Sequence, residues 1–150
     1  MEFTHLDKDG TARMVDVSAK PPMKRTARAT AEIILDPKTI KAIREKALPK
    51  GDVLTVAKIA GINAAKRNSE IIPLCHLLTL DHVDVSFTVA DDRIRIESVV
   101  VCVGRTGAEM EALAAATGAA LGIYDMCKAI DKGMEIASVR LLEKTKEPVT

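Results

Sequence analysis

The sequence predicts an α+β fold, a ferredoxin-like sandwich in which helices pack on one face of an antiparallel sheet. The first supporting observation is size and composition. The chain has 150 residues, 47% hydrophobic and 29% charged, which suits one domain over residues 1–150 with a buried core. The second is the order of predicted elements: strand, helices, strand, strand, helix, strand. This split β-α-β order is typical of the ferredoxin-like sandwich.

The N-terminal part is predicted as an extended arm followed by a strand and a short helix. Residues 1–27 have no sustained period and contain the breaker Pro21-Pro22, so we expect an arm over the domain, partly mobile at its start. A strand is predicted over residues 28–35. Asp36-Pro37 then provides an N-cap and a first helical residue for a helix that ends near Ala47.

A second helix and a β-hairpin follow. Asp52 is expected to cap a helix over about 53–68, whose Val and Ala residues form an apolar stripe. A proline-interrupted apolar connection separates this helix from the next strand. Strands are predicted over residues 80–90, where apolar and polar residues alternate, and 93–103, with Asp91-Asp92 at the turn.

The C-terminal part is predicted as a long helix and a last strand. Thr106 and Glu109 have the spacing of a capping box, so we expect the helix to begin there and to run to about Ile130. The last strand is predicted over residues 134–144, followed by the polar tail 145–150.

The long helix is unusually rich in small residues, with Gly118 and Gly122 four positions apart. Glycine destabilises a helix interior by about 1 kcal/mol relative to alanine, so a second backbone is expected to approach closely. That backbone belongs either to the chain's own sheet or to the same helix of a second subunit. Because the sheet's other face would be left uncovered, the second alternative also fits a homo-oligomer.

Composition argues against nucleic acid and membrane partners. The formal net charge is +1, and aromatic residues make up 2% of the chain, with no Trp. Such a chain has neither a strong field for a polyanionic surface nor a stacking platform for bases. The most apolar run, residues 112–124, has 13 residues, whereas a membrane span needs about 20.

The cysteines indicate a reducing compartment. Cys75, Cys102 and Cys127 are odd in number and far apart, without a C-x-x-C pair. A disulfide framework or a zinc site is therefore not expected, and we predict a cytoplasmic protein. His5 and His82 have no partners at metal-binding spacing, so no metal site is predicted.

Asp125 and Lys128 form the first candidate for chemistry. They lie three residues apart and share one face of the long helix. An acid near a helix C-terminus opposes the macrodipole, and such local inconsistency often marks function. An ordinary surface ion pair is the alternative.

Glu111 is the second candidate, because the capping box explains Glu109 but not Glu111. Glu111 lies 14 residues before Asp125, which is about 21 Å along a helix. The two cannot share one small site within a chain. If two copies of the helix cross antiparallel near Gly118, Glu111 of one chain meets Asp125 of the other, which places the active site between subunits.

Basic residues provide a candidate anion site. The segment 13–28 holds five basic residues and one acid, and Lys50 and Lys66-Arg67 flank the second helix. Such clusters suit a small polyanion such as a nucleoside triphosphate, although solvated surface charge is the alternative. His76, beside Cys75, is more often a half-buried hydrogen-bonded group than a ligand.

Six motifs occur in a fixed order along nearly the whole chain. They are Met14-Val15-Asp16-Val17-Ser18-Ala19-Lys20, Lys50-Gly51-Asp52-Val53, Ile59-Ala60-Gly61-Ile62 with Ala64-Ala65-Lys66-Arg67, Ile72-Pro73-Leu74-Cys75-His76, Thr106-Gly107-Ala108-Glu109-Met110-Glu111-Ala112-Leu113 and Ile123-Tyr124-Asp125-Met126-Cys127-Lys128-Ala129. From about residue 4 to 144 the chain closely resembles the cyclic pyranopterin monophosphate synthase family of molybdenum-cofactor biosynthesis.

The resemblance implies a lyase that converts 3′,8-cyclo-7,8-dihydroguanosine 5′-triphosphate to cyclic pyranopterin monophosphate and releases pyrophosphate. It also implies a ferredoxin-like subunit in a homohexamer of three dimers. No cofactor is implied, and a divalent ion accompanying the triphosphate stays open. One residue departs from the family pattern. Leu77 stands where the family usually has proline, which loosens the backbone at His76.

Carried over residue by residue, the resemblance places the catalytic aspartate at Asp125 and two essential lysines at Lys50 and Lys128. Substrate-contacting segments fall on Leu74-Cys75-His76 and Met110-Glu111. Basic positions assigned to the phosphates are Lys20, Arg25 and Lys66.

The residue types suit this chemistry, which needs proton transfer and cations around a triphosphate. We expect Lys128 and Lys50 to act as acid and base. Clustered cations and desolvation are expected to lower a lysine pKa from about 10.4 toward the working pH. Asp125 would hold Lys128, and His76 and Glu111 would bind the base or relay protons.

Two other functions stay open on the residues alone. Ferredoxin-like domains often bind metabolites at subunit interfaces without reacting them, so a regulatory small-ligand module is the main alternative. Release of pyrophosphate distinguishes it from a lyase. An RNA-binding sheet would need exposed aromatic residues on its central strands, where only Phe87 is available.

Overall fold

Four strands and four helices make up the part of the chain described by the computed structural model, residues 4–150. The sheet has the strand order β2-β3-β1-β4, and each neighbouring pair is antiparallel. The elements are β1 (Met23–Ile34), α1 (Pro37–Arg44), α2 (Val53–Lys66), α3 (Asn68–Ile71), β2 (His82–Val89), β3 (Arg93–Gly104), α4 (Glu109–Cys127) and β4 (Glu135–Glu147). This order confirms the predicted ferredoxin-like sandwich.

The core lies between one face of the sheet and the helices α2 and α4. In β1 every second residue from Ala27 to Ile33 is fully buried, and β3 buries Ile94 and Ile96 on the same face. Helix α4 packs on β1, β3 and β4, and α2 packs on β2 and α4. The opposite face is charged, since side chains alternate along a strand. There Glu32 binds Arg93 and Arg95, among others.

Local capping signals position the first two helices as predicted. The Asp36 carboxylate accepts from the Lys38 backbone N–H at 2.8 Å, and that of Asp52 accepts from Thr55 N–H at 3.1 Å. Helix α1 ends at Arg44, earlier than predicted, because Lys46 takes a positive φ of 52°.

The prediction of one helix over 53–68 is wrong at its end. The backbone leaves the helical region at Arg67, with φ −108° and ψ 14°, and the separate short helix α3 begins at Asn68. This break turns the chain toward the connection that carries Cys75 and His76.

The predicted capping box of the long helix is wrong. The N-cap of α4 is Ala108, which offers no side-chain cap, and Thr106 plays no part. Instead the Glu109 carboxylate accepts from Lys144 Nζ on β4 at 2.9 Å. The helix ends at Cys127, three residues before the predicted Ile130, with Lys128 as the C-cap.

Two strands are longer than predicted. β1 begins at Met23 rather than at residue 28, and β4 continues to Glu147 into the predicted polar tail. Lys24 pairs with Val103 on one side and with Glu147 on the other. The backbone ladder therefore extends the sheet through polar residues that show no apolar alternation, and it takes Lys24 out of the predicted arm.

The rest of the arm contacts the domain at two points. The Val15 carbonyl oxygen lies 2.7 Å from His76 Nε2, and the Lys20 carbonyl accepts from Arg105 Nε at 3.0 Å. The expected mobility at the start of the arm falls partly on residues 1–3, which lie outside the described residues.

The glycines of the long helix approach α2 of the same chain. A Cβ on Gly118 would lie 2.6 Å from the Ala64 Cβ, and one on Gly122 would lie 3.0 Å from the Ala57 Cα. From the other side, a Cβ on Gly61 would lie 2.7 Å from the Ala115 carbonyl oxygen. The backbone that approaches these glycines is therefore that of α2 and not that of the sheet. Contact of the long helix with a second subunit stays a prediction.

Between residues 4 and 150, none of the helices combines the length and apolar character that crossing a membrane requires.

Candidate active site

The three residues predicted to be catalytic come together at the C-terminal end of α4. Lys128 Nζ lies 2.6 Å from Asp125 Oδ1. Lys50, in the loop between α1 and α2, donates from Nζ to the Asp125 backbone carbonyl at 3.0 Å and to Oδ2 at 3.4 Å. All three side chains are about half exposed. The cluster therefore presents two ammonium groups and one carboxylate to solvent.

The ion pair sets the protonation of this cluster. Hydrogen bonds from Lys128 and then Lys50 lower the pKa of the Asp125 carboxyl, and the bond to Asp125 raises the pKa of Lys128. The expected lowering of the Lys128 pKa is thus wrong for the isolated chain, because an adjacent carboxylate outweighs the weak desolvation of an exposed group. Lys128 is a charged proton donor here.

A second cluster lies at the opposite end of α4. The Glu111 side chain is buried, with 3% of the residue exposed, and its Oε1 accepts from Asn68 Nδ2 at 3.2 Å. Asn68, 1% exposed, also donates from Nδ2 to Cys75 Sγ at 3.4 Å. The break between α2 and α3 brings Asn68 to this position. The structure therefore links two predicted substrate-binding residues through a residue that the sequence did not indicate.

Burial dominates the electrostatics of the second cluster. It raises the pKa of the Glu111 carboxyl, although hydrogen bonds from the Glu111 backbone N–H and from Asn68 oppose this effect. Burial raises the pKa of the Cys75 thiol. At the other end of α4, burial also raises the pKa of the Cys127 thiol to about 11. Because a thiolate is the reactive form, neither thiol is activated as a nucleophile.

The connection after α3 holds the remaining predicted substrate contacts. Leu74, Cys75 and His76 are half-buried. The bond from His76 Nε2 to the Val15 carbonyl requires the ring nitrogen to donate, which leaves Nδ1 as its free ring atom. The contact with the Val15 carbonyl on the arm orients the His76 ring, and Leu77, which follows His76, is 80% exposed.

The predicted phosphate-binding residues differ in whether their side chains already have partners within the chain. Arg25, on β1, donates from Nε to the Gly104 carbonyl at 3.0 Å and from its guanidinium to the Arg105 carbonyl at 3.2 Å. It also lines a cavity of about 260 Å³ with Glu109 and Lys144. Lys20 and Lys66 are exposed and form no ion pair within residues 4–150.

An apolar groove extends from the second cluster along α4 as far as Leu121. It lies between α2 and α4, has a volume of about 330 Å³, and is lined by Met110, Thr117 and Leu121 among others. Met110 and Leu121 are exposed. The predicted residue Met110 thus belongs to a surface that extends along α4.

One chain does not bring all predicted site residues into one site. Glu111 and Asp125 lie 14 residues apart on α4, which corresponds to about 21 Å. Across residues 4–150, no group of three or more His, Cys, Asp or Glu side chains could hold a metal ion. The three cysteines of the chain are free thiols.

Asn68 is the residue that sequence reasoning missed. It follows Lys66-Arg67 without a pattern of its own, and its partner Glu111 is 43 positions away. The available signal was an amide at the end of a helix, which by itself more often indicates a cap.

The chain is similar to curated proteins of molybdenum-cofactor biosynthesis. A "Molybdenum cofactor biosynthesis bifunctional protein" of Chlorobaculum tepidum is 57% identical over 145 residues, which are 97% of this chain and 46% of that protein. The chain thus spans about half the length of this relative. A "Cyclic pyranopterin monophosphate synthase" of Chloroflexus aurantiacus is 54% identical, covering 95% of this chain and 89% of the relative.

A protein of the same name from Peptoclostridium acidaminophilum is 51% identical over 145 residues, covering 97% of this chain and 92% of the relative. The family model described as the MoaC family matches residues 14–147, which include all the predicted site residues. This match and these identities show that the chain belongs to the MoaC family.

Proposed function

We propose that this chain is a cyclic pyranopterin monophosphate synthase. It converts 3′,8-cyclo-7,8-dihydroguanosine 5′-triphosphate to cyclic pyranopterin monophosphate and releases pyrophosphate. The names of its relatives support this activity. The observation that carries the proposal is the cluster of Asp125, Lys128 and Lys50, which is the acid–base and cationic group that such a reaction needs.

The geometry supports distinct roles within this cluster. Asp125 keeps Lys128 protonated, so Lys128 acts as the general acid of the rearrangement. Lys50 holds the other face of the Asp125 carboxylate and adds positive charge where the triphosphate is to lie. The reaction consists of proton transfers and phosphate displacement, so the proposal needs no redox cofactor.

The complete site is proposed to form between two copies of the chain. Exposed or half-buried residues of α4 and its C-cap form one stripe that joins the two clusters: Met110, Thr117, Leu121, Asp125 and Lys128. An antiparallel copy of α4 on this stripe brings the C-terminal cluster of one chain to the N-terminal cluster of the other. The groove along α4 is apolar, as expected for such an interface.

Burial of Glu111 changes the expected contact across this interface. Its carboxyl group lies below the surface of its own chain, so Asp125 of a second copy would face Met110 and the His76 segment instead. Three such dimers would give the hexamer that the resemblance implies. The free thiols support a reducing compartment, and we place the protein in the cytoplasm.

The test is release of pyrophosphate from the cyclic triphosphate. Lys128→Ala and Lys50→Ala are each expected to lower kcat by about 10²–10⁴-fold, the usual contribution of a general acid or base. Lys41→Ala is the matched control, since Lys41 is on α1 and pairs with Glu45, the C-cap of that helix, and its activity is expected to be unchanged. Tight binding of the triphosphate without pyrophosphate release would favour the regulatory module instead.

A further inference from the structure

Two buried acceptor atoms in the second cluster lack a hydrogen-bond donor. They are Asn68 Oδ1 and Glu111 Oε2, and throughout residues 4–150 no other buried side-chain nitrogen or oxygen is left unpaired. Both atoms belong to the pair already joined by the bond from Asn68 Nδ2 to Glu111 Oε1. Buried polar groups are almost always hydrogen-bonded, so two unpaired atoms on one pair need a common explanation.

Within one chain, over residues 4–150, no cation pairs with the Glu111 carboxyl group. The ionisable groups that act on it, or that it acts on, are Glu109 on its own helix, Cys75 after α3 and Cys102 on β3. Each of these groups is neutral or negative. Two cations act on these neighbouring groups: Lys144 on β4 is bound by Glu109, and Arg25 on β1 donates to the Gly104 and Arg105 carbonyls. An ionised Glu111 would therefore be a buried charge without a counter-ion, which is strongly unfavourable.

We propose that Glu111 is held as a neutral carboxylic acid whose proton, on Oε2, is donated to Asn68 Oδ1. The amide and the acid then form a planar ring of two hydrogen bonds, Nδ2–H to Oε1 and Oε2–H to Oδ1. One proton satisfies both unpaired atoms. Asn68 is the positioning residue that holds the acid in its neutral form.

The second amide hydrogen fixes the orientation of Asn68. It is directed to Cys75 Sγ, 3.4 Å from Nδ2, so both hydrogens and the oxygen of the amide are used. The raised pKa of the Glu111 carboxyl agrees with this arrangement. Glu111, Asn68 and Cys75 together form a neutral, hydrogen-bonded cluster next to His76.

A neutral acid at this position suits a triphosphate substrate, and this consequence rests on the proposed function. An ionised Glu111 would repel the negative phosphates through a low-dielectric interior. The protonated pair holds the Cys75 side chain through Asn68 without adding negative charge. The location of the proton itself depends only on the buried contacts.

Infrared difference spectroscopy tests the proposal directly. At pH 7, wild type minus Glu111→Gln is expected to show the carbonyl stretch of a protonated carboxyl group. Asn68→Ala is expected to shift that band to higher frequency, because Oε1 loses its donor, whereas a merely structural Asn68 would leave the band in place. Absence of the protonated band in wild type at pH 7 would overturn the proposal.

The pH dependence of stability gives a second readout. Because the carboxyl pKa is raised above 4.5 on folding, wild type is expected to lose stability as pH rises from 4.5 through the raised value. Glu111→Gln, which mimics the neutral acid and can form both bonds with Asn68, is expected to lack this loss. Glu70→Gln is the control, because Glu70 on α3 is exposed, and it should behave as wild type.

A difference between wild type and Glu111→Gln that does not change with pH contradicts the proposal. Both measurements are made without substrate. A negative result in these measurements therefore does not affect the proposed lyase activity. A negative pyrophosphate assay likewise does not affect the assignment of the proton on Glu111.

Discussion

Asp125 controls the chemistry of the lysine beside it. Its carboxylate contacts Lys128 at 2.6 Å and Lys50 at 3.4 Å, and this contact raises the Lys128 pKa. In the proposed reaction this aspartate would keep the acid charged until a proton is needed. The effect of Asp125 is therefore expected in the pH dependence of the rate as well as in the magnitude of the rate.

Asp125→Asn is expected to move the alkaline limb of the pH–rate profile to lower pH. The Lys128 pKa falls when its partner loses its charge, so the protonated acid is lost at lower pH. The profile of kcat against pH for pyrophosphate release measures this shift. Asp91→Asn, which removes an exposed partner of Arg44, is the control and should leave the limb in place. An alkaline limb unmoved in Asp125→Asn would contradict the assigned role.

At the scale of elements, the contact between α2 and α4 fixes where the two clusters lie. Because Gly61 and Gly118 have no Cβ, α2 and α4 approach closely. An added Cβ at either glycine would lie within 3 Å of an atom on the other helix. This close contact fixes the orientation of α4 on the sheet. It thereby fixes the positions of Asp125 and Glu111, which lie near opposite ends of the helix. Small residues at this crossing are therefore a requirement of the site as well as of the core.

Gly61→Ala is expected to destabilise the fold by about 1–3 kcal/mol, the usual cost of overpacking. The added Cβ would lie 2.7 Å from the Ala115 backbone carbonyl, which has little freedom to move. Gly133→Ala is the matched control, because no atom lies within 4 Å of its added Cβ. Urea unfolding measures both. Equal midpoints for the two variants would show that the crossing is looser than the structure indicates.

Elements that depend on neighbouring residues could be predicted, and those that depend on distant partners could not. Asp36 and Asp52 cap α1 and α2 through bonds to residues two and three positions away. Glu109 has the local spacing of a capping box, yet Lys144, 35 positions away, binds it instead. The start of β1 was missed for the same reason, since pairing with β3 and β4 extends a polar segment.

The candidate site divides in the same way. Asp125 and Lys128 lie one helical turn apart, so the sequence alone brings them together. The Lys50 contact, 75 positions from Asp125, followed only from the resemblance. Asn68 could not be predicted, because its role depends on the burial of Glu111, which tertiary packing determines.

At the scale of the whole molecule, the two clusters at opposite ends of α4 define the central claim. A separation of about 21 Å is too large for one small substrate to bridge within a chain. The stripe of exposed residues on α4 between the clusters fits a second copy in antiparallel orientation. Each dimer would then hold two sites, and each site would take one cluster from each chain.

Subunit complementation tests this claim most directly. Lys128→Ala alters the C-terminal cluster and His76→Ala the segment beside the N-terminal one, so each variant alone is expected to be inactive. After the two are unfolded together and refolded, half of the dimers are mixed. One intact site in each mixed dimer restores about a quarter of the wild-type rate of pyrophosphate release.

The matched control mixes Lys128→Ala with Lys50→Ala, which alter the same cluster, and recovers no activity because every site keeps one defect. Recovery to about a quarter with the first mixture, and none with the second, is the predicted result. Mixed dimers of Lys128→Ala and His76→Ala that stay inactive would contradict a site shared between two chains.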